Sequence, residues 1–171
     1  MELWDGYYKD ETYANIDLIR GEQIPEGLYH LVCEVLVRHT DGDYLLMKRD
    51  GAKTNFGGCF EATAGGSALK GEDKYACVKR ELLEETGISE DHFEEIGKYI
   101  CDHNRCIYYN FLCITSCEKN HIIIQEGETV SYQWITEQEF IEFINSDKII
   151  DGQKKRYSNY FYQKGYLPPL P

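Results

Sequence analysis

The chain has 171 residues, enough for one compact domain that buries roughly two-thirds of its unfolded surface and too few for two comfortable ones. Its formal net charge of -12 argues against general binding to nucleic acid or to an anionic membrane, so an anionic substrate would have to come with its own cation. Seven cysteines without paired Cys-x-x-Cys spacing predict neither a zinc site nor a complete disulfide framework, and fit reduced thiols in a cytoplasmic protein. The chain does not open with a basic leader and an apolar run, and no stretch approaches about 18 apolar residues, so neither secretion nor membrane spanning is expected.

Residues 1–27 are polar and aromatic without clear periodicity and end in the turn Ile24-Pro25-Glu26-Gly27. They are expected to wrap the domain edge as an N-terminal extension. Alternation through Leu28 to His39 predicts a strand, Thr40 to Asp43 a turn, and Tyr44 to Arg49 the answering strand of a hairpin. A loop from Asp50 to Gly58 leads to a short strand, Cys59 to Thr63, after which Ala64-Gly65-Gly66 is expected to turn tightly into a helix from about Glu72 to Thr86. Gly87 is a suitable stop for that helix. Gly97 to His103 and Cys106 to Ser116 read as a second hairpin about Asn104-Arg105, and Thr129 to Ile135 as a further strand. Thr136 with Glu139 makes a capping box for a helix over 137–144, whose apolar positions are Phe140, Ile141, Phe143 and Ile144. A last amphipathic stretch near Lys154 to Gln163 predicts another helix before a tail over 165–171. Strands mixed with few helices imply a layered α/β fold.

The chemistry concentrates between Gly66 and Ile88. At helical spacing Glu81, Glu84 and Glu85 stand at i, i+3 and i+4 and share a face with Cys77 and Lys74, while Tyr75, Ala76, Val78, Leu82 and Leu83 fall on the opposite arc, expected to face the core. Like charges so close repel unless something neutralises them. A hard dication such as Mg2+ does so, being held by one or two carboxylates together with substrate phosphates. A solvated acidic face is the plain alternative for such a run.

The full pattern is Gly66, five residues, Glu72, seven residues, then Arg80-Glu81-Leu82-x-Glu84-Glu85-x-Gly87-Ile88. It resembles the signature box of the Nudix hydrolases at every fixed position. The resemblance implies a Nudix α/β/α sandwich with a mixed sheet over about residues 28–164, and hydrolysis of a diphosphate linkage in a nucleoside diphosphate linked to another group. It also implies Mg2+, or Mn2+ in its place, held by Glu81 and Glu85 with Glu84 as a further ligand or the base. Arg80 is expected to orient these carboxylates and Glu72 to hold the loop, with Gly66 and Gly87 as structural positions. Because the family often recruits another acid from a distant loop, Glu126 and Glu128 are candidates, with two solvated loop acids as the alternative.

The run from Leu45 to Gly66, with the opening Met1 to Tyr8 and the strand containing His30, also looks like the isopentenyl-diphosphate isomerase branch of the superfamily. There, an arginine and a lysine matching Arg49 and Lys53 contact the diphosphate, so both are substrate-binding candidates here. The isomerases' catalytic cysteine is replaced by Gly65 and a metal-binding histidine by Ser67, and Cys59 lies several residues away. An isomerase is therefore the disfavoured alternative, and a catalytically silent nucleotide-binding module a third reading. Tyr108, Tyr109 and Phe111 are candidates for stacking on a base. The substrate is expected to be a small molecule; its leaving group and base, and the oligomeric state, are not encoded in the motif.

Overall fold

A computed structural model describes residues 1–168. The elements in chain order are β1 (Leu3–Tyr7), β2 (Tyr13–Ile19), β3 (His30–His39), β4 (Tyr44–Arg49), β5 (Phe60–Ala62), β6 (Ala64–Ser67), α1 (Lys74–Thr86), β7 (Glu94–Cys101), β8 (Cys106–Thr115), β9 (Thr129–Ile135), α2 (Glu137–Ile144) and α3 (Asp151–Gln163).

The central sheet is mixed. β3 runs parallel to β8 over its whole length, from His30↔Cys106 to His39↔Thr115, and antiparallel β7 continues the sheet beyond β8. On the other side β3 and β4 meet at Arg38↔Tyr44 and then splay apart. The gap between them is filled by residues 60–67, because β5 pairs with β4 while β6 pairs with β3. Thr63, at the bend with φ 57°, bridges the fork by accepting from Val37 N (3.0 Å) and donating to the Leu45 carbonyl (2.8 Å). β9 closes the far side of β4.

Alternation along β3 divides its side chains between two cores. Cys33, Val35 and Val37 pack with Met47, Phe111, Cys77, Val78 and Leu82 beneath α1. Leu36 packs with Tyr44, Leu46, Phe140, Ile144, Tyr157 and Phe161 beneath α2 and α3. This is an α/β/α sandwich. No helix among the described residues is long and apolar enough to cross a membrane.

Several expectations need correcting. Residues 1–27 carry strands that their sequence showed no period for: β1 and β2 form a separate two-stranded hairpin over a small core of Trp4, Leu18 and Leu28. Ala64-Gly65-Gly66 is strand rather than turn, since its backbone pairs with β3 from Val32↔Ser67 to Val35↔Ala64. α1 starts after Asp73, leaving Glu72 in the preceding loop. The helix face was also partly misassigned. Cys77, Val78, Leu82, Glu85 and Thr86 are buried, whereas Tyr75 and Leu83 lie about half exposed, so part of the acid stripe faces the sheet. Of the expected tail, Tyr166 and Leu167 are buried in the second core, and residues 169–171 lie outside the described residues.

Candidate active site

The site is built where the β6 backbone meets α1. Asp73 caps the helix by accepting from Tyr75 N (3.0 Å) and Ala76 N (2.8 Å), and Gly87 ends it with φ 75° while its N–H reaches the Leu83 carbonyl. Between those ends Arg80 is fully engaged. Its Nε and Nη2 grip Glu72 at 2.7 and 2.9 Å, Nη1 reaches Glu81 at 2.7 Å and Glu84 at 3.1 Å, and Nη2 also donates to the Ser67 carbonyl at 3.1 Å. Glu72 in turn accepts from Leu69 N, so the loop from Ser67 to Glu72 is sewn to the helix.

Glu81 lies against the β6 backbone so closely that a Cβ at Gly66 would stand 2.3 Å from its Oε1. A side chain there would push the Glu81 carboxylate out of its place, so the glycine serves the carboxylate and not an unusual φ. One turn on, Glu85 is buried and accepts a long contact from Gly65 N (3.3 Å), and no cation is paired with it among the described residues. Burial pushes its carboxyl well above the usual range, and the charges of Glu61 and Glu81 push the same way. Glu81 is also raised, first by burial, with Arg80 opposing. Glu84 is the most exposed of the three.

Glu61 is an acid outside the Gly66 to Ile88 motif. It sits on β5 opposite Met47, is gripped by Arg49 Nη1 at 2.9 and 3.0 Å, and has its carboxyl raised by burial against the pull of Arg49. The available signal was a charged residue inside the apolar run Cys59 to Ala62, which no family spacing marks. Of the two loop acids, Glu128 lines the cleft and pairs with Lys53, whereas Glu126 is exposed and outside it. Arg49 and Lys53, expected to bind substrate, do not line the cleft and already hold carboxylates, Arg49 that of Glu61 and Lys53 that of Glu128. Phe111 and Tyr109 are buried in the first core and, like Tyr108, do not line the cleft.

The cleft itself is about 390 Å3. It is lined by Glu2, Arg20, Leu69, Gln125 and the β6 backbone, besides Arg80, Glu81, Glu84, Glu85 and Glu128. Five carboxylates therefore face two guanidinium groups. Among the described residues, no three acid, imidazole or thiol side chains already stand in ligand geometry around one point. Arg80 holds one oxygen of Glu81 and one of Glu84.

The β6 backbone also bears on the isomerase alternative. A Cβ at Gly65 would lie 2.5 Å from the Cys33 carbonyl oxygen, so a cysteine has no room there without moving β3. Cys59 does not line the cleft.

The NUDIX domain model matches residues 28–159. The chain belongs to the NUDIX domain family. An uncharacterised Nudix hydrolase of Listeria monocytogenes is 27% identical over 150 residues, covering 88% of this chain and 89% of that protein. Among solved structures, DR0079 of Deinococcus radiodurans superposes with a TM-score of 0.69 at 14% identity, covering 86% of this chain and 91% of the other. The NUDIX domain of Shewanella oneidensis NrtR, complexed with ADP ribose, gives 0.61 at 14% identity over 88% and 95%. At those identities the structural likeness shows the Nudix fold alone. By family and by its relatives this chain is an enzyme, a Nudix pyrophosphohydrolase.

Proposed function

We propose that this Nudix enzyme is a Mg2+-dependent hydrolase, with Mn2+ able to substitute, that cleaves the diphosphate linkage of a nucleoside diphosphate joined to another group. The observation that carries the reading is the charge imbalance of the cleft, above all Glu85, buried beside Glu61 and Glu81 with no cation partner among the described residues. Hard carboxylate oxygens in excess fit a hard dication and fit nothing anionic by themselves. Glu81 and Glu85 would hold the ion. There it would offset the charge on the phosphate oxygens and make a water easier to deprotonate.

The chain's own groups do the rest. Glu84, half in solvent at the cleft wall, takes the proton from the attacking water. Glu128, across the loop that also supplies Gln125, is a second acid within reach of the same space. Arg80 keeps Glu81 and Glu84 aimed and, with its donors occupied, acts by positioning rather than by touching substrate. Arg49 and Lys53 remain candidates for the non-reacting phosphate, at the cost of exchanging Glu61 and Glu128 for it. The ADP ribose complex of the Shewanella oneidensis domain supports a nucleoside diphosphate derivative at the level of fold. Seven free cysteines accord with a cytoplasmic setting.

The purified protein with Mg2+ is to be assayed against nucleotide sugars, dinucleoside polyphosphates, nucleoside triphosphates and isoprenoid diphosphates. Metal-dependent hydrolysis within the first three classes is expected, with no conversion of isopentenyl diphosphate to its dimethylallyl isomer. Isomer formation in proportion to enzyme, or no hydrolysis of any member, would refute the assignment.

A further inference from the structure

One wall of the cleft lies outside the box. β1 and β2 are in register at Leu3↔Ile19, and one step further Arg20 N donates to the Glu2 carbonyl at 3.1 Å, so Glu2 and Arg20 form the pair at the open end of the hairpin. That end is fixed against the box loop. Lys70 N donates to the Leu3 carbonyl at 2.8 Å, Gly71 N to Asp5 Oδ2 at 2.8 Å, and Lys70 Nζ pairs with Asp17 at 2.5 Å. Trp4 stacks on buried His30 with ring centroids 4.2 Å apart, anchoring the hairpin to β3.

Of the two guanidinium groups in the cleft, Arg80 is held by Glu72, Glu81, Glu84 and the Ser67 carbonyl. Arg20 is different. Among the described residues its one side-chain partner is Glu2, at 2.8 Å from Nη1, and its side chain is 64% exposed. An exposed pair of this kind contributes little, so a phosphate can take over the guanidinium cheaply and engage it through two parallel N–H donors.

We propose that Arg20 is a substrate-binding and specificity-determining residue that grips the non-reacting phosphoryl end of the substrate, displacing Glu2 as its resident partner. The inference rests on the diphosphate-hydrolase reading and narrows its substrate class. The non-reacting phosphoryl group of a diphosphate linkage is always ionised, so Arg20 favours a substrate that turns this group towards the hairpin over one that turns an uncharged group there, which would leave the Arg20–Glu2 pair closed.

The test uses the full chain with Mg2+ and methylenediphosphonate, whose P–C–P link cannot be hydrolysed, and reads Kd by calorimetry. Arg20→Ala is expected to raise Kd about tenfold with an unchanged melting temperature, and Arg20→Lys to recover part of the loss. Glu2→Gln keeps an acceptor for Trp4 Nε1 but frees Arg20, so its Kd should equal or fall below that of the wild type. The two variants therefore diverge if Arg20 meets the phosphate and move together if the pair is only structural. Wild-type Kd in Arg20→Ala, or equal weakening in both variants, overturns the inference while the hydrolase reading stands. Wild-type protein that does not bind the probe in Mg2+ overturns that reading and this inference with it.

Discussion

Glu85 decides more than any other residue, because its carboxylate is buried against two like charges and contributes to the fold only when something compensates it. Its raised carboxyl binds a proton more tightly in the folded chain than in the unfolded one. Apo stability from this group is therefore present below the ordinary carboxylate range and is lost as pH rises towards its folded value. Glu85→Gln should accordingly raise the apo melting temperature at pH 7 to 8 and abolish the further rise expected of the wild type on adding Mg2+. Both Glu85→Gln and Glu81→Gln should cut turnover by about a hundredfold or more. Unchanged turnover in both at saturating Mg2+ would remove the metal assignment. His30 gives a second pH signature of opposite chemistry. Burial lowers it to about 4 from 6.5, so the unfolded chain protonates first as pH falls. Stability should decline from about pH 6.5 and level off near pH 4, by about 3 kcal/mol in all. His30→Gln should flatten that limb in urea titrations, and an unaltered limb would assign it to other groups.

At the scale of elements, two helices with similar caps should respond differently. Asp73 caps α1 through two backbone N–H groups, and Thr136 caps α2 in a reciprocal box with Glu139. Asp73→Ala and Thr136→Ala should each cost about 1 kcal/mol in denaturant unfolding. Only Asp73→Ala should also lower activity, since α1 carries Arg80, Glu81, Glu84 and Glu85 while α2 lies on the opposite face of the sheet. Equal activity in both would mean that the start of α1 does not set the carboxylates. Legibility followed the same division. β9 and α2 were readable because alternation over Thr129 to Ile135 and a capping box ahead of Phe140 each report burial locally. β6 was not, because Ala64-Gly65-Gly66-Ser67 offers no side-chain period, and its strand character lies wholly in hydrogen bonds to β3. β2 is mostly exposed, so it also lacked a pattern.

For the whole molecule, the second core is joined to the sheet by a buried ion pair that no local pattern announced. Arg156 of α3 reaches both oxygens of Glu34 on β3, at 2.8 and 2.5 Å, and Asn110 of β8 donates to the same carboxylate at 2.9 Å. Removing the arginine would strand a buried charge, so Arg156→Ala should cost about 3–5 kcal/mol. Arg156→Met with Glu34→Gln should recover much of it. Chemical denaturation would show the difference, and a loss below about 1 kcal/mol in the single variant would mean that water already reaches Glu34. Glu34 pairs with Gly65 in the β3 and β6 register, so the same position links the α3 layer to the strand beneath the active-site acids.

The sequence by itself determined the family, the helix that carries the acids, its stop at Gly87 and the layered fold, because spacing along one helix and alternation along one strand are properties of neighbouring residues. Tertiary structure alone decided which side of that helix is buried, since α1 packs on β6 and β3, setting Glu81 and Glu85 against the β6 backbone and leaving Tyr75 and Leu83 about half exposed. It also decided that Glu61 joins the cluster, that Glu128 rather than Glu126 faces the cleft, and that Arg49 and Lys53 hold carboxylates. Arg20 is the clearest case: it lies 60 positions before Arg80 in an acidic chain, and only the docking of the N-terminal hairpin on the Lys70-Gly71 loop brings it to the same cleft. Charges so far apart in sequence meet through backbone pairing and buried anchors such as Trp4 on His30, and neither leaves a period for the sequence to display.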